Sequence, residues 1–165
     1  VETIKFGKKS SMIQRIQTIY LLLVVILVST FFFLPFASFV MEQDMSIFKL
    51  SINGLVSEAQ GAKPILLVKP LTFIIPVITL VAVASILLFK RRMLQIKFCI
   101  ACIVLLVGLQ GLIYYYVNVA GHQLGSSPSY KIVFVFPLIS AVLAYLAIRG
   151  IAKDEALVRS LDRLR

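Results

Sequence analysis

Four apolar stretches, residues 16–39, 71–89, 98–120 and 132–148, dominate the chain, and none contains an Asp, Glu, Lys, Arg or His. A helix needs about 20 mostly apolar residues to cross the roughly 30 Å hydrocarbon core of a bilayer. Inside lipid every backbone N–H and C=O must be paired within the protein, so runs this long and uniform are expected to be helices. A membrane barrel would alternate polar and apolar residues over about ten positions, and none of these runs does so. The rest of the chain agrees: 60% of residues are hydrophobic, 15% are charged, and mean hydropathy is +1.00. That composition excludes a soluble globular domain, a disordered tail and a disulfide scaffold. The expected fold is an all-α membrane protein, a four-transmembrane-helix bundle.

Charge sets the expected orientation. The 17 Lys and Arg residues outnumber the 7 Asp and Glu, and they are unevenly shared between the two ends of the spans. Thirteen lie before the first span, in the 90–97 loop and after the fourth span; Lys49, Lys63, Lys69 and Lys131 lie on the other side. Positive residues mark the cytoplasmic side, so both termini and the 90–97 loop are expected in the cytoplasm of a bacterial inner membrane protein. Basic clusters beside a membrane also meet anionic lipid headgroups, but topology alone explains the bias. The first run is too long for the core of a cleaved signal peptide and reads as a retained anchor. Residues 1–11 are polar, basic and without periodicity, and are expected to be a disordered or non-native extension. The membrane domain is expected over 12–148 and a cytoplasmic tail over 149–165.

Spans without titratable groups argue against proton relays and ion-coupled pumps, which place such groups at membrane depth. Gln110, between Gly108 and Gly111, is the most polar residue near the middle of a span. It reads as an interhelical hydrogen bond made where glycines admit a neighbouring helix, with a ligand contact as the alternative. Ser140 and Ala144 form a small-residue packing pair. Pro35, Pro76 and Pro137 can kink their helices. Cys99 and Cys102 have redox spacing, but lie among Phe98, Ile100 and Ile103 at the expected cytoplasmic end, where thiols stay reduced; packing is the simpler reading. Tyr114, Tyr115 and Tyr116 suit an aromatic belt, and His122 suits a solvated loop. No nucleotide loop, catalytic triad, metal cluster or nucleic-acid signature is present in the sequence, and no cofactor is expected.

The 40–70 loop is the one sizeable segment between spans. Phe48, Leu50 and Ile52 alternate with Lys49, Ser51 and Asn53, the period of a strand, and Asn53-Gly54 is a strong turn signal. The partner is either Leu55-Val56 or residues 65–68. A small extracytoplasmic β element between helices 1 and 2, packed on the helix ends, is expected. Gly121 to Ser129 reads as a short polar turn. In the tail, Ile151, Leu157, Val158, Leu161 and Leu164 recur near helical spacing, and Glu155 and Arg159 form a favourable i,i+4 pair. An amphipathic helix is expected there, on the inner leaflet or on a partner.

The words Met12-Ile13-Gln14-Arg15-Ile16-Gln17-Thr18-Ile19-Tyr20, Leu94-Gln95-Ile96-Lys97 and Lys153-Asp154-Glu155-Ala156-Leu157-Val158-Arg159-Ser160, the last continuing through Asp162-Arg163-Leu164-Arg165, resemble the bacterial membrane family catalogued as domain of unknown function 4293. The resemblance runs from Met12 to the end. It implies a four-span inner-membrane protein and no established activity or site residues.

Three functions compete. The leading one is a non-enzymatic membrane subunit or scaffold that binds a protein partner at its cytoplasmic edge. Candidate contacts are Arg15, Gln95, Lys97, Asp154, Glu155, Arg159, Asp162 and Arg163. The second is a carrier or channel for a neutral or lipid-like solute, motivated by the prolines and Gln110. The third is a thiol oxidoreductase using Cys99 and Cys102. The lipid bilayer is the other expected partner.

Overall fold

A computed structural model describes residues 3–41, 46–57, 66 and 68–162; side chains are described within 16–40, 46–57, 66, 68–89 and 91–156. The element order is α1 (Thr3–Ser29), β1 (Ala37–Met41), β2 (Ser46–Ser51), β3 (Gly54–Ser57), α2 (Lys69–Leu87), α3 (Arg92–Leu124), β4 (Pro128–Tyr130) and α4 (Phe136–Asp162). Short 3-10 turns follow α1 and α2 and precede α4. α1 packs against α2 and α4, and α3 packs against the same two helices. Helix α1 begins at Thr3, inside the 1–11 segment set apart above.

Each helix buries one narrow stripe at alternating spacings of three and four. On α1 it is Gln17, Leu21, Val24 and Val28; on α2 it is Leu71, Ile75, Ile78, Ala82 and Ser85. On α3 the stripe runs from Gln95 and Cys99 to Val117 and Ala120, and on α4 from Ser140 through Ala144, Ala147 and Ile151 to Asp154. Residues three and four apart share a helix face, so one apolar seam per helix meets the interior. The outward faces are also apolar, with Phe73, Leu80, Leu87, Val104 and Val107 all exposed. A helix surface apolar all round suits lipid rather than water. The helices Lys69–Leu87 and Arg92–Leu124 and the segment Ile132–Ala156 are long and apolar enough to cross a membrane; 16–32 forms a shorter apolar helix.

The β element is larger than expected. It is a four-stranded antiparallel sheet in the order β3-β2-β1-β4. β1 comes from what the run lengths assign to the end of span one. The helix ends instead at the 3-10 turn Thr30–Phe32; Pro35, which lacks an N–H, follows in the corner, and Ala37–Met41 leaves as strand. β4 comes from the stretch expected to be a polar turn. It is an edge strand that opens with Pro128, where a missing donor costs no ladder bond. β2 and β3 form the hairpin signalled by Asn53-Gly54, shifted by one residue: Ile52 and Asn53 make the connection, and Gly54, at φ 117°, opens β3. Both candidate partner segments are used, because the Leu55 N–H also donates to the Leu66 carbonyl at 3.0 Å.

Ala37, Phe39, Phe48, Leu50 and Leu55 bury the inner face of the sheet in one cluster with Phe31, Leu71, Val117 and Val133 from the helix ends. Thr72 Oγ1 donates to the Ile52 carbonyl at 2.9 Å and ties α2 to the hairpin. The sheet therefore caps one end of the helical body. We call this the sheet end, and the opposite one the basic end.

Candidate functional site at the basic end

The four buried stripes each reach the basic end, and there each carries a polar residue. Leu21, Cys99, Ala147 and Ile151 form a small apolar cluster above this end. One turn further toward it lie Gln17 on α1, Gln95 on α3 and Asp154 on α4; Ser85 of α2 reaches the level of Cys99, with which it is hydrogen-bonded. All four polar side chains are buried, and Gln17 and Asp154 are each only 7% exposed. Ser85 Oγ also donates to the Val81 carbonyl at 2.9 Å.

Gln17 and Asp154 are joined directly. The Gln17 Nε2 donates to Asp154 Oδ2 at 3.0 Å, across 137 residues of sequence. Gly150, one turn before Asp154, makes room for this contact. A Cβ at Gly150 would lie 3.0 Å from Gln17 Cγ and 3.3 Å from Gln17 Nε2, so the amide rests on bare backbone. A carboxylate taken out of water needs such a donor, because an uncompensated buried charge is strongly destabilising. From Ile132 to Asp154 a helix advances roughly 33 Å at 1.5 Å per residue, about the hydrocarbon thickness. Asp154 thus lies at the basic end of the segment Ile132–Ala156, which is long and apolar enough to cross a membrane. α4 runs unbroken from Phe136 to Asp162, so the helix expected in the tail continues directly from the fourth apolar run.

The remaining predicted contacts divide by position. Gln95 and Asp154 face inward and Lys97 is exposed, while Glu155 is half-buried and has an interaction of its own. The side chains of Arg15, Arg159, Asp162 and Arg163 lie outside the described residues. Arg91, Arg149 and Lys153 are exposed at the same end, so cations flank a buried polar layer. Sequence reasoning missed Gln17 and Gly150 as site residues. Gln17 stands four residues before Leu21 on the same stripe, a signal available in the spacing.

The glycines beside Gln110 differ from expectation. Gly108 and Gly111 do not admit a neighbouring helix: a Cβ at either position would meet nothing within 4 Å. Gln110 Oε1 and Ser140 Oγ are buried without a hydrogen-bond partner. Cys99 and Cys102 are free thiols, both fully buried. Among the described residues, no three His, Cys, Asp or Glu side chains come together as a metal site.

A family model described as Domain of unknown function (DUF4293) matches residues 13–164. The chain belongs to this family. The DUF4293 match takes in α1 from residue 13 onward, the other three helices, the sheet and every residue of the polar layer, so the basic end and the sheet end are parts of one family unit. No curated protein matches the chain.

Proposed function

We propose that this DUF4293 protein is a four-span inner-membrane subunit, both termini in the cytoplasm, that presents its basic end to a protein partner. The observation that carries this reading is the Gln17–Asp154 bond. It fixes α1 to α4 where the exposed Lys97, Arg149 and Lys153 surround the helix ends and where α4 extends to Asp162. A rigid base with a projecting helix suits docking, because little order is lost on association. The cations suit an acidic surface on the partner.

Purification in mild detergent tests this. The expected result is a stoichiometric partner that the charge-reversed K97E/R149E/K153E variant loses, with the variant otherwise folded. Identical behaviour of the two proteins, each without a partner, overturns it. Embedding and orientation are read separately, by resistance to alkaline extraction and by labelling of the carboxyl terminus.

A second reading, a carrier for a neutral solute, is favoured by Gln110 Oε1, a buried acceptor without a donor. Solute flux into proteoliposomes that disappears in Gln110→Leu supports it; no flux above protein-free vesicles counts against it.

A further inference from the structure

The start of α3 at the basic end breaks a local rule. The helix opens at Arg92 behind Arg91, whose side chain caps nothing, and its first turn holds no acid. The first intrahelical bond runs from the Gln95 N–H to the Arg91 carbonyl at 3.0 Å. The N–H groups of Arg92, Met93 and Leu94 come before it and have no acceptor within the helix. A helix N-terminus carries about half a positive elementary charge and favours acidic side chains. Two arginines there oppose that preference, and such conflicts between local rule and sequence are expected at functional sites.

Gln95 is a separate observation on the same turn. The residue is only 5% exposed, and among the described residues its amide has no hydrogen-bond partner. It is not sealed in, however: the orphaned atoms cut off from the surface are Gln110 Oε1, Ser126 Oγ and Ser140 Oγ. Gln95 follows Arg91 and Arg92 by four and three residues, so it shares their face of α3. Helical side chains lean toward the N-terminus, which carries the amide beneath half-buried Arg92 and exposed Arg91. Asp154 borders the same layer, but Gln17 already engages its carboxylate, and two guanidinium groups with a helix N-terminus outweigh one acid. Such a set of donors suits a compact oxyanion. Arginine pairs with phosphate through two parallel bonds, and leading helix N–H groups receive anions. Gln95 is set too deep for a protein surface to reach.

We propose that the N-terminus of α3, with Arg91, Arg92 and Gln95, binds a phosphate group. Its source is the headgroup of an anionic phospholipid or a free phosphate ester. The lipid source rests on the membrane reading above, which puts this end among the headgroups of the inner leaflet.

The test uses the full chain in nanodiscs of phosphatidylcholine doped with phosphatidylglycerol, and native mass spectrometry reads the lipid retained. Phosphatidylglycerol is expected to be enriched over its share of the disc. Gln95→Leu and Arg92→Gln should each lower that enrichment by about tenfold, the scale of one hydrogen bond to a charged group, with the unfolding temperature unchanged in pure phosphatidylcholine. Lys97→Gln is the control, because it removes the same charge two residues on and about 200° round the helix; it should leave the enrichment intact. No enrichment in the wild-type chain overturns the proposal. So does an equal loss in Lys97→Gln, which means diffuse attraction between charges. Displacement of the lipid by free glycerol phosphate supports a soluble ester as occupant, and retention supports the lipid. A chain that does not enter discs fails the membrane reading instead. Inorganic phosphate titrated in detergent then still decides the site, and equal binding by the wild-type, Gln95→Leu and Arg92→Gln chains overturns it.

Discussion

The amide of Gln17 lies against the bare backbone of Gly150 and donates to Asp154 one turn further along α4. Three residues from opposite ends of the chain thus act together. Removing the donor should be felt at the acceptor: Gln17→Leu is expected to destabilise by about 1–2 kcal/mol, the range for hydrogen bonds between membrane helices and to charged groups. Thermal unfolding in detergent checks this. A double-mutant cycle with Asp154→Leu should show coupling of about 1 kcal/mol; full additivity would falsify the direct link.

Gly150→Ala should change sign with its background. In the wild-type chain the new Cβ meets Gln17 Cγ at 3.0 Å, displaces the amide and destabilises. In a Gln17→Ala background that obstacle is gone, and Ala should gain about 1 kcal/mol over Gly in a helix. Unfolding midpoints of the four proteins measure the reversal, and destabilisation in both backgrounds argues against it.

Gly108→Ala and Gly111→Ala should be neutral or stabilising by up to about 1 kcal/mol, since helix interiors prefer Ala and both sites face open space. A marked loss of stability in the purified protein would mean that another helix sits on this face. The same midpoint measurement reads it.

Gly121→Val is expected to cost about 1–3 kcal/mol, the usual range for overpacking. Its Cβ would press on the Ser126 carbonyl at 3.3 Å and stand 3.7 Å from the Phe39 ring. Because these contacts hold the sheet to α3, hydrogen exchange at β1 and β4 should rise in the variant before exchange in α2 does. Uniform change across the chain would go against this.

Cys99 and Cys102 should resist thiol reagents in the folded protein, because both are fully buried. Mass spectrometry after maleimide treatment, with and without denaturant, measures it. Rapid labelling of the native protein would require the helices to open at this end.

The helices were legible because run length and uniform hydropathy are local properties. The limits of that reading are physical. Phe31 to Phe39 is apolar whether it crosses lipid or packs a strand onto helix ends, so hydropathy merged α1 with β1; Pro35 was the one local mark of the corner. β4 is three residues whose strand state depends on β1, far away in sequence, and no window holds both. Charge ended the fourth span at Arg149, yet the stripe of Ser140, Ala144, Ala147, Ile151 and Asp154 continues past it, because Arg149 points outward and Asp154 inward. Gln17 was legible as a family word but not as a partner of Asp154, since pairing across 137 residues leaves no trace in spacing.

The sheet also imposes an order of assembly. β1 is made early and finds β2 almost at once, but its other edge pairs Ala37 with Tyr130, a residue made more than half the chain later. Until the connection between α3 and α4 has emerged, that edge stands unpaired, and the cap closes only when the last hairpin of helices is delivered. A ribosome stalled before residue 128 would therefore hold a chain whose lid is hinged but not latched.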